Sequence, residues 1–136
     1  MKRALLWFDV VATLVLEALA VRYGPRTAWF YAGLGLTAAA MPFWILARLQ
    51  LGRSFSVTAQ ARQLVTHGLY TRLRNPIYFF GGLAYFGALV ALQVWWLVLA
   101  WLAMTPIQIL RIKREEKVLA EAFGAEYESW RAKTWF

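Results

Sequence analysis

The stretch IYFFGGLAYFGALVALQVWWLVLAWLAMTPIQIL, residues 77–110, contains no charged side chain. A membrane-spanning helix needs about 20 apolar residues, so this stretch is too long for one span and slightly short for two. Gln93 lies near its middle and is followed by Trp95 and Trp96, which suit a membrane interface. The stretch therefore predicts a tight helical hairpin that turns near Gln93.

Two further apolar segments precede this hairpin, and the first of them carries Asp9 and Glu17. That first segment also resembles a signal peptide, but the two acidic residues interrupt it and favour a retained helix. Ionisable residues within a span are candidates for function, although both also lie near enough to an interface to reach water. We predict an all-α integral membrane protein with four transmembrane helices in one domain, residues 1–136. The spans are expected at about 4–21, 27–47, 77–92 and 94–110.

Composition supports a lipid environment. Hydrophobic residues make up 61% of the chain and charged residues only 16%, against about 25% in a soluble domain. The net charge of +8 belongs to basic residues beside apolar runs, which predicts contact with anionic membrane lipids rather than nucleic acid. The chain has no Cys and a single His, His67, which excludes disulfides and Cys/His metal sites. Chemistry here would depend on an organic cofactor rather than on a metal.

The placement of Lys and Arg predicts the orientation in the membrane. With the amino terminus in the cytoplasm, all of the 15 Lys and Arg residues except Arg22 and Arg26 fall on the cytoplasmic side. Both termini should then be cytoplasmic, in the inner membrane if the cell is bacterial. The two polar stretches, 48–76 and 111–136, would face the same compartment and form a cytoplasmic cap of connector and carboxy-terminal helices.

The first polar stretch ends in LVTHGLYTRLRNPIY, residues 64–78. Gly68 permits a tight turn or a close approach to a ligand. Pro76 suits the first turn of the following helix, and Asn75 is placed to cap it. The helix amino end favours an anion, and Arg74 adds positive charge there. Taken alone, these residues favour an ordinary interfacial connector with snorkelling side chains.

The second polar stretch contains RIKREEKVL, residues 111–119, and closes with Phe123 and Gly124. Its apolar residues recur at roughly helical spacing, and Gly124 is a plausible helix stop. Arg111 and Glu115 are four residues apart and share a helix face. Taken alone, this stretch favours a juxtamembrane helix with exposed ion pairs.

Together the two stretches resemble one family, the isoprenylcysteine carboxyl methyltransferases of membranes. That family has a stretch close to L-V-T-x-G-x-Y-x-x-x-R-H-P-x-Y and, after a transmembrane hairpin, R-x-x-x-E-E and F-G-x-E-Y. The resemblance covers about residues 51–130 and places the catalytic motifs at 51–78 and 111–130. Asn75 stands where the family usually has His, which removes a titratable ring. The matching residues are Leu64, Val65, Thr66, Gly68, Tyr70, Arg74, Pro76, Tyr78, Arg111, Glu115, Glu116, Phe123, Gly124, Glu126 and Tyr127.

The resemblance implies a cofactor, S-adenosyl-L-methionine, and a lipophilic acceptor at the cytoplasmic membrane interface. Arg111 would face the acceptor, a carboxylate or another nucleophile. The residues implied to bind the cofactor are Gln63, Leu64, Val65, Tyr70, Arg74, Asn75, Pro76, Ile77, Tyr78, Glu115 and Glu116. A cationic sulfonium suits a carboxylate or an aromatic face, and methyl transfer needs no metal. The alternatives are a sterol-reductase-like membrane enzyme that uses NADPH and a non-catalytic membrane adaptor.

Overall fold

The computed structural model describes residues 2–52 and 64–135, and within these ranges the chain is helical, with no β-strand. This confirms the all-α prediction. The helices are α1 (Lys2–Tyr23), α2 (Ala28–Leu51), α3 (Pro76–Leu92), α4 (Trp95–Phe123) and α5 (Ala125–Arg131), with a short 3₁₀ helix at Gly68–Thr71.

Two of the helices in the described ranges, α2 and α4, are long and apolar enough to cross a membrane. The third apolar helix, α3, is shorter. Large apolar side chains project outward from these helices, among them Trp96 and Leu99. An exposed apolar surface of this extent is expected where lipid rather than water surrounds a protein.

The close contact of α2 with α3 forms the centre of the bundle. A Cβ atom built on Gly33 would lie 2.5 Å from the carbonyl oxygen of Gly87, so the helices meet where neither has a side chain. Thr37 donates a hydrogen bond of 3.0 Å across the same interface to the carbonyl of Ala84. Small residues at such positions let backbones approach closely, which is how helices associate in membranes.

The predicted turn near Gln93 is present and closes one end of the bundle. Gln93 adopts a left-handed backbone conformation, with φ 56°. Its side-chain amide donates to the carbonyl of Pro25 at 2.7 Å, and its oxygen accepts from the Thr27 hydroxyl at 2.8 Å. These contacts join the α3–α4 turn to the α1–α2 loop. The connector, α5 and the polar half of α4 therefore lie at the opposite end.

The fourth predicted span, 94–110, and the helix predicted after it form one continuous helix, because α4 runs without interruption to Phe123. Residues 111–119 consist mainly of strong helix formers and contain neither Gly nor Pro, so nothing stops the helix there. Gly124, with φ 49°, ends it as the sequence predicts. Both glutamates of the second motif thus lie on a helix continuous with the apolar hairpin.

The connector and the carboxy-terminal helix pack together at the polar end. Val65, Tyr70, Tyr127 and Trp130 form a buried apolar cluster. The indole N–H of Trp130 donates to the carbonyl of Tyr70 at 2.7 Å, which fixes the two segments to each other. We call residues 64–75 together with 119–135 the cap. Residues 53–63 of the first predicted motif, 51–78, lie outside the described residues.

Candidate functional site

A cavity of about 1010 Å³ lies beneath the cap, at the upper end of the size range for ligand sites. Its deep part is apolar and lies along α3 and α4, where Leu83, Leu97, Trp101 and Met104 form the wall. Its shallow part is polar and carries most of the residues that the sequence nominates. These are Leu64, Val65, Tyr70, Arg74, Asn75, Ile77, Tyr78, Arg111 and Glu115.

The Glu115 carboxylate connects the two sequence motifs across the cavity. The hydroxyl of Tyr78 donates to its Oε1 at 2.6 Å, and Nε of Arg111 lies 3.3 Å from the same oxygen. The Arg111 guanidinium also lies 5.7 Å from the centre of the Tyr78 ring. Three residues of the predicted set therefore form one polar cluster, with an acceptor, a hydroxyl and a cation on the cavity wall.

The second glutamate, Glu116, does not line the cavity. Its Oε1 accepts a hydrogen bond of 3.0 Å from the Asn75 side-chain amide and lies 3.1 Å from Nε of Arg74. Glu116 thus holds two cavity-lining residues from behind. The expectation that the Asn75 side chain caps α3 is wrong: Asn75 occupies the N-cap position without a side-chain cap hydrogen bond, because its amide is directed to Glu116.

Tyr70 lies in the cap with its ring buried, and its hydroxyl donates to the carbonyl of Ala47 at 3.4 Å. Burial raises the pKa of this hydroxyl well above its ordinary value; the nearby Arg48 charge lowers it and the Glu115 charge raises it. The hydroxyl therefore remains protonated at neutral pH and acts as a donor. Tyr70 also lies within electrostatic range of charges on α2 and on α4.

Among the nominated residues that the structure describes, Pro76 and Glu116 do not line the cavity. Pro76 is completely buried at the start of α3 and does not line the cavity. Gln63 lies outside the described residues. His67 is exposed, and its carbonyl accepts the hydrogen bond from the Tyr70 N–H at 3.1 Å, which closes the turn at Gly68. Gly68 itself has φ 60°, as its predicted role in a turn requires.

The structure adds lining residues that the motifs do not contain, among them Asp9, Trp44 and Arg48. Asp9 and Arg48 form an ion pair between α1 and α2. The sequence carries one signal for this pair, since a charge within or beside an apolar span is a candidate for function. It carries none for the partner, because 39 residues separate the two positions.

A helical bundle with exposed apolar surfaces and a polar cavity where those helices end is typical of a small membrane protein with a ligand site. The phospholipid methyltransferase family model matches residues 27–126, and the chain belongs to this family. The family lies in the same membrane methyltransferase superfamily as the isoprenylcysteine carboxyl methyltransferases, so the resemblance drawn from the motifs is confirmed. Comparisons with curated proteins and with solved structures gave no match.

Family membership supports a methyltransferase and implies a methyl donor, typically S-adenosylmethionine. The cavity fits this donor in size and in chemistry. The donor is a sulfonium cation, and the Glu115 carboxylate and the Tyr78 ring on the wall are groups that attract cations. Arg74 and Asn75, which also line the cavity, carry polar groups suited to its hydroxyls and carboxylate.

Proposed function

We propose that the protein is an S-adenosylmethionine-dependent methyltransferase of the isoprenylcysteine carboxyl methyltransferase type that acts on a lipophilic acceptor at the cytoplasmic membrane interface. One observation carries this proposal: the 2.6 Å hydrogen bond from Tyr78 to Glu115. It joins the connector motif to the motif after the hairpin, on the wall of one cavity. Neither an interfacial connector nor a helix with exposed ion pairs requires the two motifs to meet.

The cofactor would lie in the shallow, polar part of the cavity. When bound, it supplies a methyl group that is already activated for in-line displacement. The protein then has to align donor and acceptor and to exclude water. Glu115 and the Tyr78 ring provide the contacts for a cation. Glu116 keeps Arg74 and Asn75 in place behind them. The buried cluster of the cap closes the site on the polar side.

Arg111 is the residue that we assign to the acceptor. Its side chain is 47% exposed, and it stands on α4 at the level where the apolar helix surface becomes polar. A guanidinium there suits a carboxylate acceptor or the phosphate of an amine lipid. The family match favours the phospholipid. The apolar deep part of the cavity, along α3 and α4, is suited to the acceptor's hydrocarbon chain.

The same proposal includes the topology. Helices α1 to α4 cross the membrane, with the α1–α2 loop and the Gln93 turn on the outer side. The cap and both termini are cytoplasmic, and residues 1–136 form one domain. In a bacterium the membrane is the inner membrane. The supporting observation is that the described motif residues and all described basic residues except Arg22 and Arg26 lie at one end of the bundle. Because S-adenosylmethionine is a cytosolic compound, we assign this end to the cytoplasm.

The direct test is methyl transfer in lipid nanodiscs. The purified protein is incubated with methyl-labelled S-adenosylmethionine and membrane lipid extract, and the lipids are separated. We expect label in one lipid class. Release by mild base would identify a methyl ester and hence a carboxylate acceptor, whereas base-stable label in an amine lipid would identify the phospholipid. Glu115→Gln serves as the test variant of the site, and Glu121→Gln, on the outer surface of α4, is its matched control. No transfer to any lipid or thiol fraction would refute the proposal.

A further inference from the structure

Among the charged residues of the described ranges, Arg48 in the last turn of α2 has the lowest exposed fraction. Its side chain is only 6% exposed, yet it lines the cavity. The guanidinium carbon lies 5.1 Å from the centre of the Trp44 ring and 5.8 Å from that of Trp7. Desolvating a cation is costly unless charges or aromatic faces compensate it. Nothing in the proposed methyl transfer uses this residue.

The ion-pair partner of Arg48 differs from it sharply in burial. Asp9 on α1 contacts the guanidinium, but its side chain is 49% exposed. Because Asp9 also lines the cavity, its carboxylate can leave the ion pair for cavity water, whereas the buried cation loses a compensating charge unless another anion takes its place. The pair is therefore suited to exchange, with a ligand anion taking the place of Asp9 on the cavity side. Asp9 also precedes the residues that the family model matches, 27–126.

Two further groups place Arg48 at the proposed cofactor site. The hydroxyl of Tyr70 donates to the carbonyl of Ala47, which precedes Arg48 in the chain. The charges of both Arg48 and Glu115 act on this hydroxyl. The indole N–H of Trp44 is buried and has no hydrogen-bond partner among the described residues, and Trp44 lines the cavity. A buried guanidinium beside an indole donor is a combination suited to an oxyanion.

We propose that Arg48, with Trp44 beside it, forms a second anion-binding site in the cavity, and that Asp9 pairs with Arg48 until a ligand anion takes its place. The ligand is an oxyanion, either the carboxylate of the methyl donor or the phosphate of a phospholipid. The inference rests on the proposed function in its choice of these two sources. It also assigns α1 a role in ligand binding that reaches beyond the matched part of the chain.

The experiment compares ligands with and without the anion. In nanodiscs, one titration uses S-adenosylhomocysteine and its analogue that lacks the carboxylate. The other uses dihexanoylphosphatidic acid and dihexanoylglycerol. We expect Arg48→Gln to lower the affinity for one of the two anionic ligands at least tenfold. The affinity for the matching analogue without the anion should not change. The affected pair identifies the source as cofactor carboxylate or lipid phosphate. If Arg48→Gln changes the affinity for neither anionic ligand by more than about twofold relative to the wild type, the inference is overturned.

Two variants separate binding from a structural role. The double variant Asp9→Arg with Arg48→Asp retains an ion pair with reversed direction. If the ion pair serves only the fold, the double variant should regain the wild-type affinity for the anionic ligands, and that result would contradict the inference. We expect instead a folded protein that still distinguishes poorly between ligands with and without the anion. Should Arg48→Gln not fold, Arg48→Lys keeps the charge, loses the planar fork and is expected to give the same selective loss. Arg131→Gln, from an exposed pair with Glu128, is the control.

The two proposals fail in different ways. Wild-type protein that does not bind S-adenosylhomocysteine at all contradicts the methyltransferase proposal. The titration with dihexanoylphosphatidic acid and dihexanoylglycerol then tests the anion site at Arg48 independently of that result. Wild-type protein that binds S-adenosylhomocysteine, together with Arg48 variants that bind every probe like the wild type, contradicts the anion site alone.

Discussion

The substitution Glu115→Gln is the sharpest perturbation of the proposed cofactor site. Glutamine has nearly the same shape, and its amide oxygen can still accept the hydrogen bond from Tyr78, which measures 2.6 Å. The change removes the negative charge and the ion pair with Arg111. The fold should therefore persist while the electrostatic part of cofactor binding is lost.

The expected magnitude follows from what Glu115 contacts. If the residue serves only the ion pair with Arg111, its loss costs about 0.3–0.5 kcal/mol, as for other i,i+4 pairs on a helix surface. That cost falls on the stability of the protein, and cofactor affinity should then stay within about twofold of the wild-type value. Glu115, however, is only 25% exposed and lines the cavity. A charge-assisted contact with a ligand there contributes about 1.5–3 kcal/mol, which predicts a rise in Kd of roughly 10- to 150-fold.

The assay is calorimetric titration of S-adenosylhomocysteine into wild-type, Glu115→Gln and Glu121→Gln protein in the same detergent. Glu121 forms an i,i+4 ion pair with Lys117 on the same helix, but its side chain is 67% exposed and lies away from the cavity. Its substitution controls for the loss of one acidic charge. A Glu115→Gln protein that binds as tightly as the Glu121→Gln protein would refute the assignment of Glu115 to the cofactor.

Four further predictions address the acceptor, the packing, the cap and the topology. Arg111→Ala should leave S-adenosylhomocysteine affinity within about twofold of the wild type. It should lower the rate of methyl transfer roughly 30- to 1000-fold, for a lost contact of about 2–4 kcal/mol. A loss of cofactor affinity equal to that of Glu115→Gln would show that Arg111 was assigned to the wrong ligand. Gly33→Ala should destabilise the protein by about 1–3 kcal/mol, because its Cβ would lie 2.5 Å from the Gly87 carbonyl oxygen. Gly35→Ala, with nothing within 4 Å, should be neutral or slightly stabilising in the same thermal unfolding series. Trp130→Phe removes the donor to a buried carbonyl of the cap, at a cost of about 1–3 kcal/mol, and should speed limited proteolysis after residue 119; unchanged cleavage would contradict the packing of the cap. Reporter fusions should place both termini in the cytoplasm, and an external carboxy terminus would contradict the proposed orientation.

Local chemistry made several elements of the fold predictable. An uncharged run too long for one span had to turn, and Gln93 marked the place because polar and aromatic residues interrupt the apolar pattern there. Gly68 and Gly124 adopt positive φ values of 60° and 49°, which their positions in the sequence predicted. In each case the deciding interaction is between neighbours in the chain.

The pairing of side chains between helices could not be predicted in the same way. Asn75 was expected to cap its own helix, but its amide bonds to Glu116, 41 residues away. The Asp9–Arg48 pair likewise depends on how α1 is rotated against α2. Hydrophobic periodicity is weak in helices that are apolar on all sides, so it does not specify that rotation. The motif resemblance supplied the convergence on one cavity that periodicity could not.

Binding of S-adenosylhomocysteine to the wild-type protein tests the central claim most directly. For an S-adenosylmethionine-dependent methyltransferase we expect a saturable, one-to-one titration in detergent and in nanodiscs. The Kd should lie in the micromolar range, about −8 kcal/mol. NADPH, the cofactor of the reductase alternative, should give no binding heat under the same conditions. No detectable S-adenosylhomocysteine binding in either environment, or binding of NADPH instead, would contradict the account.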